Sequence, residues 1–250
     1  MKKAIILAAG IGKRLGDLTK RTAKCLLPTD DENTLLDLSV KSLIENSISE
    51  IIIVTGFGAE ILKNHIETKW KNKITFKFVF NEKFNEYNNI YSAYLAKDFL
   101  DDETILLNSD IIYDPAILKK LVGTYHGKSL LVIDDTKRLT DESMKVKVNS
   151  NGEIKEINKA LEIKTSFGEY IGITYLKGLE RLKFLDSLER NVKNKNLDLY
   201  YEDALGSILD KISVYPFSTQ GKLWTEIDDV KDYEIAKTIA KKIKQRVSAL

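Results

Sequence analysis

The chain is 250 residues long, 43% hydrophobic and 30% charged, and its 39 Lys and Arg against 37 Asp and Glu leave a net charge of +2. A chain of this size buries a substantial core in one or two domains, and so balanced a charge excludes nucleic-acid binding as its main role. Cys25 is the single cysteine, which excludes an intramolecular disulfide. No secretory pattern follows the opening Met-Lys-Lys, and no apolar run approaches the ~20 residues a bilayer requires. A cytoplasmic protein with no membrane partner is therefore expected.

From the N-terminus, residues 3–7 read as an all-apolar strand that runs directly into Ala8, Ala9, Gly10, Ile11 and Gly12. Small side chains and two glycines let backbone approach a ligand closely, with N–H groups turned outward as an anion nest. Lys13 and Arg14 add fixed positive charge beside it. A helix is predicted over 34–46, a strand over 50–55, a helix over 59–69, a strand over 75–80 and a helix over 90–100. A strand over 103–107 then ends at Asn108, Ser109 and Asp110, before a helix over 116–125 and a strand over 129–133. Apolar strands alternating with helices predict a doubly wound, parallel-rich α/β sheet.

The second half changes character. Strands over 146–149 and 153–157 flank Ser150-Asn151-Gly152, a hairpin signal. A strand over 170–176, helices over 178–194 and 202–211, and strands over 212–216 and 222–227 follow. The last helix, over 230–247, gathers Tyr233, Ala236, Ile239, Ala240 and Ile243 on one face, and its lysines read as the solvated side. With no repeat, low-complexity tract or linker, a single domain over 1–250 is expected, divided near residue 135.

The glycine segment is neither of two common phosphate motifs. A Walker A loop needs G-x-x-x-x-G-K-[ST], and a dinucleotide fingerprint needs a third small residue where Leu15 stands. Leu7-Ala8-Ala9-Gly10-Ile11-Gly12-Lys13-Arg14-Leu15, followed by Ala23-Lys24-Cys25-Leu26-Leu27-Pro28, instead resembles the signature of the sugar-nucleotidyltransferase-like superfamily. Ala23 stands where that family usually has proline, and the lysine after it is retained. The resemblance implies a Rossmann-like, doubly wound, mixed but mostly parallel sheet with helices on both faces, the nucleotide-diphospho-sugar transferase fold. It also implies that Leu7, Ala8, Ala9, Gly10, Gly12, Lys13 and Arg14 hold a nucleoside triphosphate in the first half, with Asn88 and Ser109 nearby, while 136–250 binds an acceptor.

Asp110 ends an apolar strand, and ligand sites of open α/β sheets lie beyond the carboxyl ends of strands. Mg²⁺ is commonly held by one or two carboxylates plus substrate phosphates. Trp224-Thr225-Glu226-Ile227-Asp228 resembles the family element that closes the metal site, so Glu226 and Asp228 join Asp110 as candidate ligands. The stretch from Gly152 resembles a family strand ending in a phosphate-binding lysine, which makes Lys159 the third catalytic cation beside Arg14 and Lys24; Lys155 is expected to face away. His65 and His126 sit in no motif, and an anionic acceptor needs no strong base.

The remaining motifs resemble the small cytidylyltransferase branch, which acts on phosphocholine, aminoethylphosphonate and related compounds. They supply the acceptor set: Lys24, Asn89, Tyr91, Glu169, Tyr170, Gly172, Tyr201, Glu202 and Asp229. Aromatic rings beside carboxylates suit an ammonium group. The expectation is Mg²⁺-dependent transfer from CTP to a small zwitterionic phospho-acceptor, with release of pyrophosphate. A sugar-1-phosphate nucleotidyltransferase using UTP, dTTP or GTP is the alternative, and a non-catalytic nucleotide-binding regulator the remoter one. The sequence allows a homodimer without requiring it.

Overall fold

The computed structural model describes residues 2–124 and 127–248 of the chain. Strand β1 (Lys3–Ala8) is buried from Ala4 onward because it has a neighbour on each side. Two 3-10 segments follow, Lys13–Thr19, kinked at Gly16, and Lys24–Leu26. Helix α1 (Leu35–Glu45) begins at a capping box: Asp37 N–H donates to Thr34 Oγ1 at 3.2 Å, and Thr34 N–H donates to Asp37 Oδ2 at 2.8 Å. Each bond satisfies a donor that the first turn leaves open.

Strand β2 (Glu50–Thr55), α2 (Ala59–Lys69) and β3 (Thr75–Phe80) form where the sequence predicts them. Helix α3 (Asn89–Leu95) is shorter than predicted, with a 3-10 turn over Lys97–Phe99 in place of its last part. Thr104 Oγ1 takes the Phe99 carbonyl at 3.1 Å and turns the chain into β4 (Thr104–Asn108). The three-residue strand β5 (Ile111–Tyr113) was too short to carry a pattern. Helix α4 (Pro115–Thr124) follows, with proline where a helix tolerates it best. Tyr125, the predicted end of that helix, and His126 lie outside the described residues.

The second half contains β6 (Ser129–Asp134), β7 (Lys145–Val148), β8 (Ile154–Asn158), β9 (Gly168–Tyr175) and α5 (Gly178–Lys193). Helix α6 (Tyr201–Gly206) is about half its predicted length. Ser187 Oγ and Ser207 Oγ both donate to the Ala204 carbonyl at 2.8 Å, occupying the acceptor that a continuing helix would use. Strand β10 (Val214–Ser218), the short β11 (Trp224–Glu226) and α7 (Val230–Ser248) complete the chain.

The main sheet runs β10-β6-β9-β4-β1-β2-β3. Along it only β9 is reversed, antiparallel to both β4 and β6, while β7 and β8 extend from its start. Side chains of β1 alternate between two cores, as strand geometry requires. Ala4, Ile6 and Ala8 pack with Leu36 and Val40 of α1, Leu62 of α2 and Leu118 of α4. Ile5 and Leu7 pack on the other face with Ile90 of α3, Phe184 of α5 and Leu205 of α6. Helices therefore cover both faces. The α7 face predicted to be apolar packs Tyr233, Ala236, Ala240 and Ile243 against Leu15, Leu35 and Ile227.

Asp37 ties α1 to α2. Its fully buried carboxylate accepts from Lys69 Nζ at 2.8 Å and Trp70 Nε1 at 2.6 Å, and lies 2.9 Å from His65 Nε2. Burial alone would raise its pKa, but these donors hold it well below the usual carboxylate range. Asp37→Ala should lower the unfolding free energy by about 3 kcal/mol, because it strands the facing cation and indole. The wild-type contribution is complete above the ordinary value of 3.8 and fades as pH falls below it. In urea titrations the gap between the two proteins should accordingly close in acid.

Candidate active site

The parallel strands β1, β2, β3 and β4 all end on the same edge of the sheet, and a crevice opens there. Its floor is the loop after β1. Leu7, Ala8, Ala9, Gly10, Gly12 and Arg14 all line it. Gly12 stands in the left-handed region, φ +69°, and its carbonyl accepts from Leu15 N–H at 3.0 Å and from the buried Thr19 hydroxyl at 2.9 Å. A Cβ built on Gly10 would meet nothing within 4 Å. Gly10 is therefore not demanded by the protein's own packing, and it leaves open space at the crevice floor. Lys13 is exposed and does not line the crevice. The left-handed turn at Gly12 sends Arg14, rather than Lys13, to the crevice wall.

Three carboxylates converge at one end. Asp110, Glu226 and Asp228 each offer an oxygen within 4.8 Å of the others. The short ribbon between β5 and β11 brings them together: Ile111 pairs with Glu226, and Ile227 N–H donates to the Asp110 carbonyl at 2.9 Å. Two cations offset the like charges. Lys24 Nζ lies 2.9 Å from Asp110 Oδ2 and 3.6 Å from Asp228 Oδ1, and Arg14 Nη2 lies 2.8 Å from Asp228 Oδ1. Burial would lower the Lys24 pKa, but the facing carboxylates outweigh it and hold the ammonium charged. Glu226 is pushed upward by the desolvated surroundings of its carboxyl and by the Asp110 and Asp228 charges.

Asp110 Oδ1 is buried with no hydrogen-bond partner in the protein. An orphaned carboxylate oxygen beside two further carboxylates is a hard, all-oxygen donor set, and it fits a divalent ion such as Mg²⁺. Lys159 also lines the crevice, with Glu142 Oε2 3.7 Å from its ammonium. Lys155 turns away to Glu153 at 3.3 Å.

The other end is built from α3, β9 and α6. Asn89, Tyr170, Gly172 and Glu202 line it. Glu202 is only 4% exposed, and burial pushes its carboxyl pKa up to about 7. Asn89 Nδ2 is its side-chain neighbour at 3.5 Å. Four predicted acceptor residues stand elsewhere. Tyr201 is fully buried behind the wall, donating to Asn108 Oδ1 at 3.1 Å and touching the Tyr170 hydroxyl at 2.7 Å. Tyr91 packs on Tyr87 and Tyr94, Glu169 pairs with Lys137 at 3.3 Å, and Asp229 caps α7 by accepting from Asp232 N–H at 2.9 Å. None of the four lines the crevice. Asn88 and Ser109 do, but the Asn88 amide is engaged with Asn89 N–H at 2.8 Å and the Asp198 carbonyl at 3.2 Å.

Asn81, Phe84 and Met144, which carry no motif, also line the crevice, as do Tyr87 and Tyr200 from the motif stretches that supplied Asn89 and Glu202. Asn81 follows the end of β3, so the strand-end rule that found Asp110 would also have found it. Phe84 and Met144 sit in connections where no periodicity operates.

Fold and crevice together describe a nucleotide-handling α/β protein with a carboxylate triad. Residues 3–157 match the model of the Nucleotidyl transferase family, and the chain belongs to that family. It is 28% identical to the CTP:phosphoglutamine cytidylyltransferase of Campylobacter jejuni, with 93% of this chain and 98% of that protein covered. It is 30% identical to the choline-phosphate cytidylyltransferase of Haemophilus influenzae, covering 92% and 94%. Among solved structures, the CTP:phosphocholine cytidylyltransferase of Streptococcus pneumoniae superposes with a TM-score of 0.74 at 24% identity, over 96% of this chain and 100% of that one; this likeness concerns the fold. Among the described residues no helix is long and apolar enough to cross a membrane.

Two glycines of the site should respond differently to alanine. At Gly172, φ is +86° and a Cβ would sit 2.9 Å from Asn108 Nδ2, so Gly172→Ala should cost of order 1–3 kcal/mol. Gly10→Ala meets no such neighbour and should melt with the wild-type protein. Thermal unfolding of the two variants measures the contrast.

Proposed function

We propose that the protein transfers a cytidylyl group from CTP to a small, zwitterionic phospho-acceptor and releases pyrophosphate. One observation carries this reading: a single crevice joins a cation-and-carboxylate end, suited to phosphates, to a buried acid. Glu202, with the Tyr87 and Tyr200 rings in the same wall, offers an ammonium group both charge and aromatic surface. A neutral sugar would leave Glu202 buried without a counter-charge, a costly arrangement. The names of the curated relatives, cytidylyltransferases for phosphocholine and phosphoglutamine, support the same chemistry.

In this reading the chain is one nucleotidyltransferase domain, with nucleotide bound mainly by residues up to about 135 and acceptor mainly by the remainder, to which Lys24, Tyr87 and Asn89 add from the first half. Backbone at Gly10–Gly12 and the Arg14 guanidinium hold the β- and γ-phosphates, which become the leaving pyrophosphate. Lys24 and Lys159 hold the α-phosphate and the acceptor's phosphoryl oxygens. An acceptor oxygen attacks the α-phosphorus in line and pyrophosphate departs. That oxygen is already anionic, so positioning and charge do most of the work and no general base is required. A divalent metal held by Asp110, Glu226 and Asp228 would supply charge neutralisation at the α-phosphate. The reaction belongs in the cytoplasm, where nucleoside triphosphates are made and the Cys25 thiol stays reduced.

Asp110→Ala should reduce turnover by ~10²-fold or more, the usual scale for loss of one preorganised charge-stabilising group. Wild-type protein in excess EDTA should lose activity as well. Full activity in both assays would sink the metal assignment.

Phosphocholine, phosphoethanolamine and an aminophosphonate with CTP should outperform glucose-1-phosphate with UTP or dTTP in a pyrophosphate-release assay. Because burial holds the Glu202 carboxyl near 7, it becomes charged as pH rises through that value. The KM for a cationic acceptor should fall over the same interval. Glu202→Gln should raise that KM, flatten its pH dependence and leave the CTP KM nearly unchanged. Rapid turnover of hexose-1-phosphates with none of the amino compounds would promote the sugar reading.

A further inference from the structure

The connection from β6 to β7 is held at both ends by buried charged side chains. At its start the Asp134 carboxylate accepts from Thr136 N–H at 2.9 Å, Lys137 N–H at 3.1 Å, the Thr136 hydroxyl at 2.8 Å and the Trp224 indole at 2.6 Å. At its end stands Lys145, only 1% exposed. Its ammonium donates to the backbone carbonyls of Thr140 at 3.1 Å, Asp141 at 3.0 Å and Ser143 at 3.1 Å. Among the described residues no carboxylate lies within ion-pair distance of it. Burying a charge is costly unless its hydrogen bonds are satisfied, so this lysine is tolerable only while the loop keeps three carbonyls turned inward. Two local bonds reinforce that shape, Thr140 N–H to Ser143 Oγ at 3.1 Å and Ser143 N–H to the Thr140 carbonyl at 3.2 Å.

What the loop delivers is functional surface. Met144 forms part of the crevice wall, and Glu142 faces the Lys159 ammonium at 3.7 Å. The Lys145 backbone pairs with Asn158, the residue before Lys159, on one side and with Glu169, the residue before Tyr170, on the other. It therefore stands between the two strands that feed the acceptor end. We propose that Lys145 is a positioning residue: through the 140–143 turn it sets Met144, Glu142 and Lys159 around the acceptor without touching it. This rests on the acceptor end being as assigned under Proposed function.

The test compares the wild-type chain with Lys145→Met, which keeps the aliphatic stem and removes the ammonium. Amide hydrogen exchange, measured with no substrate present, should accelerate roughly tenfold or more over 140–144 while β1 and β4 stay protected. The KM for phosphocholine should rise about fivefold or more, with the CTP KM within about twofold. The hexose phosphate replaces phosphocholine if that is what the wild-type protein turns over. A merely structural lysine would lower the folded fraction, hence kcat, and leave both KM values alone. Unchanged exchange over 140–144 overturns the inference whatever the acceptor proves to be. Faster exchange with an unmoved acceptor KM overturns it too. Should Lys145→Met fail to fold, Ser143→Ala loosens the same turn without burying an unpaired group. It should shift exchange and acceptor KM in the same direction, and no shift in either counts against the proposal.

Discussion

Three carboxylates within 4.8 Å of one another are the constraint around which the structure is arranged. Each like-charge pair at that separation costs of order ~1–4 kcal/mol between bulk water and the protein surface. Lys24 and Arg14 offset this, and neither comes from the segments that carry the acids. Chain near the N-terminus must therefore reach over chain from the middle and the C-terminal part. That requirement explains why the segment after β1 is a kinked 3-10 turn and a second short 3-10 turn rather than a regular helix. A helix would carry its side chains around a cylinder, whereas these turns deliver two cations to one spot. The buried Asp37 network then fixes α1, which closes the other side of the same turn.

The crevice has two ends that the protein stabilises by different means. The phosphate end consists of backbone and ion pairs, with Arg14 exposed to solvent above the more buried Lys24 and Asp110, as suits groups that must exchange partners when nucleotide arrives. The acceptor end is backed by a chain of buried hydroxyls and amides. The Tyr170 hydroxyl meets the Thr174 and Tyr201 hydroxyls, and Tyr201 reaches Asn108, against which Gly172 packs. A fully satisfied buried network of this kind is rigid and specifies one arrangement. Reversal of β9 between β4 and β6 makes it possible, because a reversed strand presents Tyr170 and Gly172 at the edge where its parallel neighbours end.

Much of this was legible from residues alone, for identifiable reasons. The strand β2 is a continuous apolar run, β3 alternates and α2 carries a narrow apolar face, and the ends of all three fall where the sequence predicts them. Asp110 and the Gly10 loop follow from one rule, that strand ends in α/β sheets face the ligand. The acceptor wall was harder. Tyr201 and Glu202 are adjacent, yet helical geometry turns one into the core and the other into the crevice, and only the docking of α6 decides which. Glu169 and Tyr170 divide in the same way on a strand. Met144 reaches the site from a connection whose shape depends on the buried Lys145, and no local pattern encodes that shape. Helix α6 ends early at the Ala204 carbonyl, which takes one hydroxyl from Ser207 nearby and one from Ser187 on α5.

The ribbon formed by β5 and β11 also bears on how the molecule comes into being. Ile111 and Glu226 are direct partners although about 115 residues separate them, so their pairing closes one of the longest loops in the chain. Closing such a loop carries an entropic cost that short-range contacts do not, and pairings of this kind form late on the folding path. The β1–β2 pair and the turn with Arg14 can consolidate early, because they are near neighbours in sequence. Glu226 and Asp228 join them only when the last strand docks. During synthesis the growing chain thus passes through a stage with cations in place and the acidic cluster incomplete, and the cluster closes only once the segment with Glu226 and Asp228 has followed Asp110 out of the ribosome.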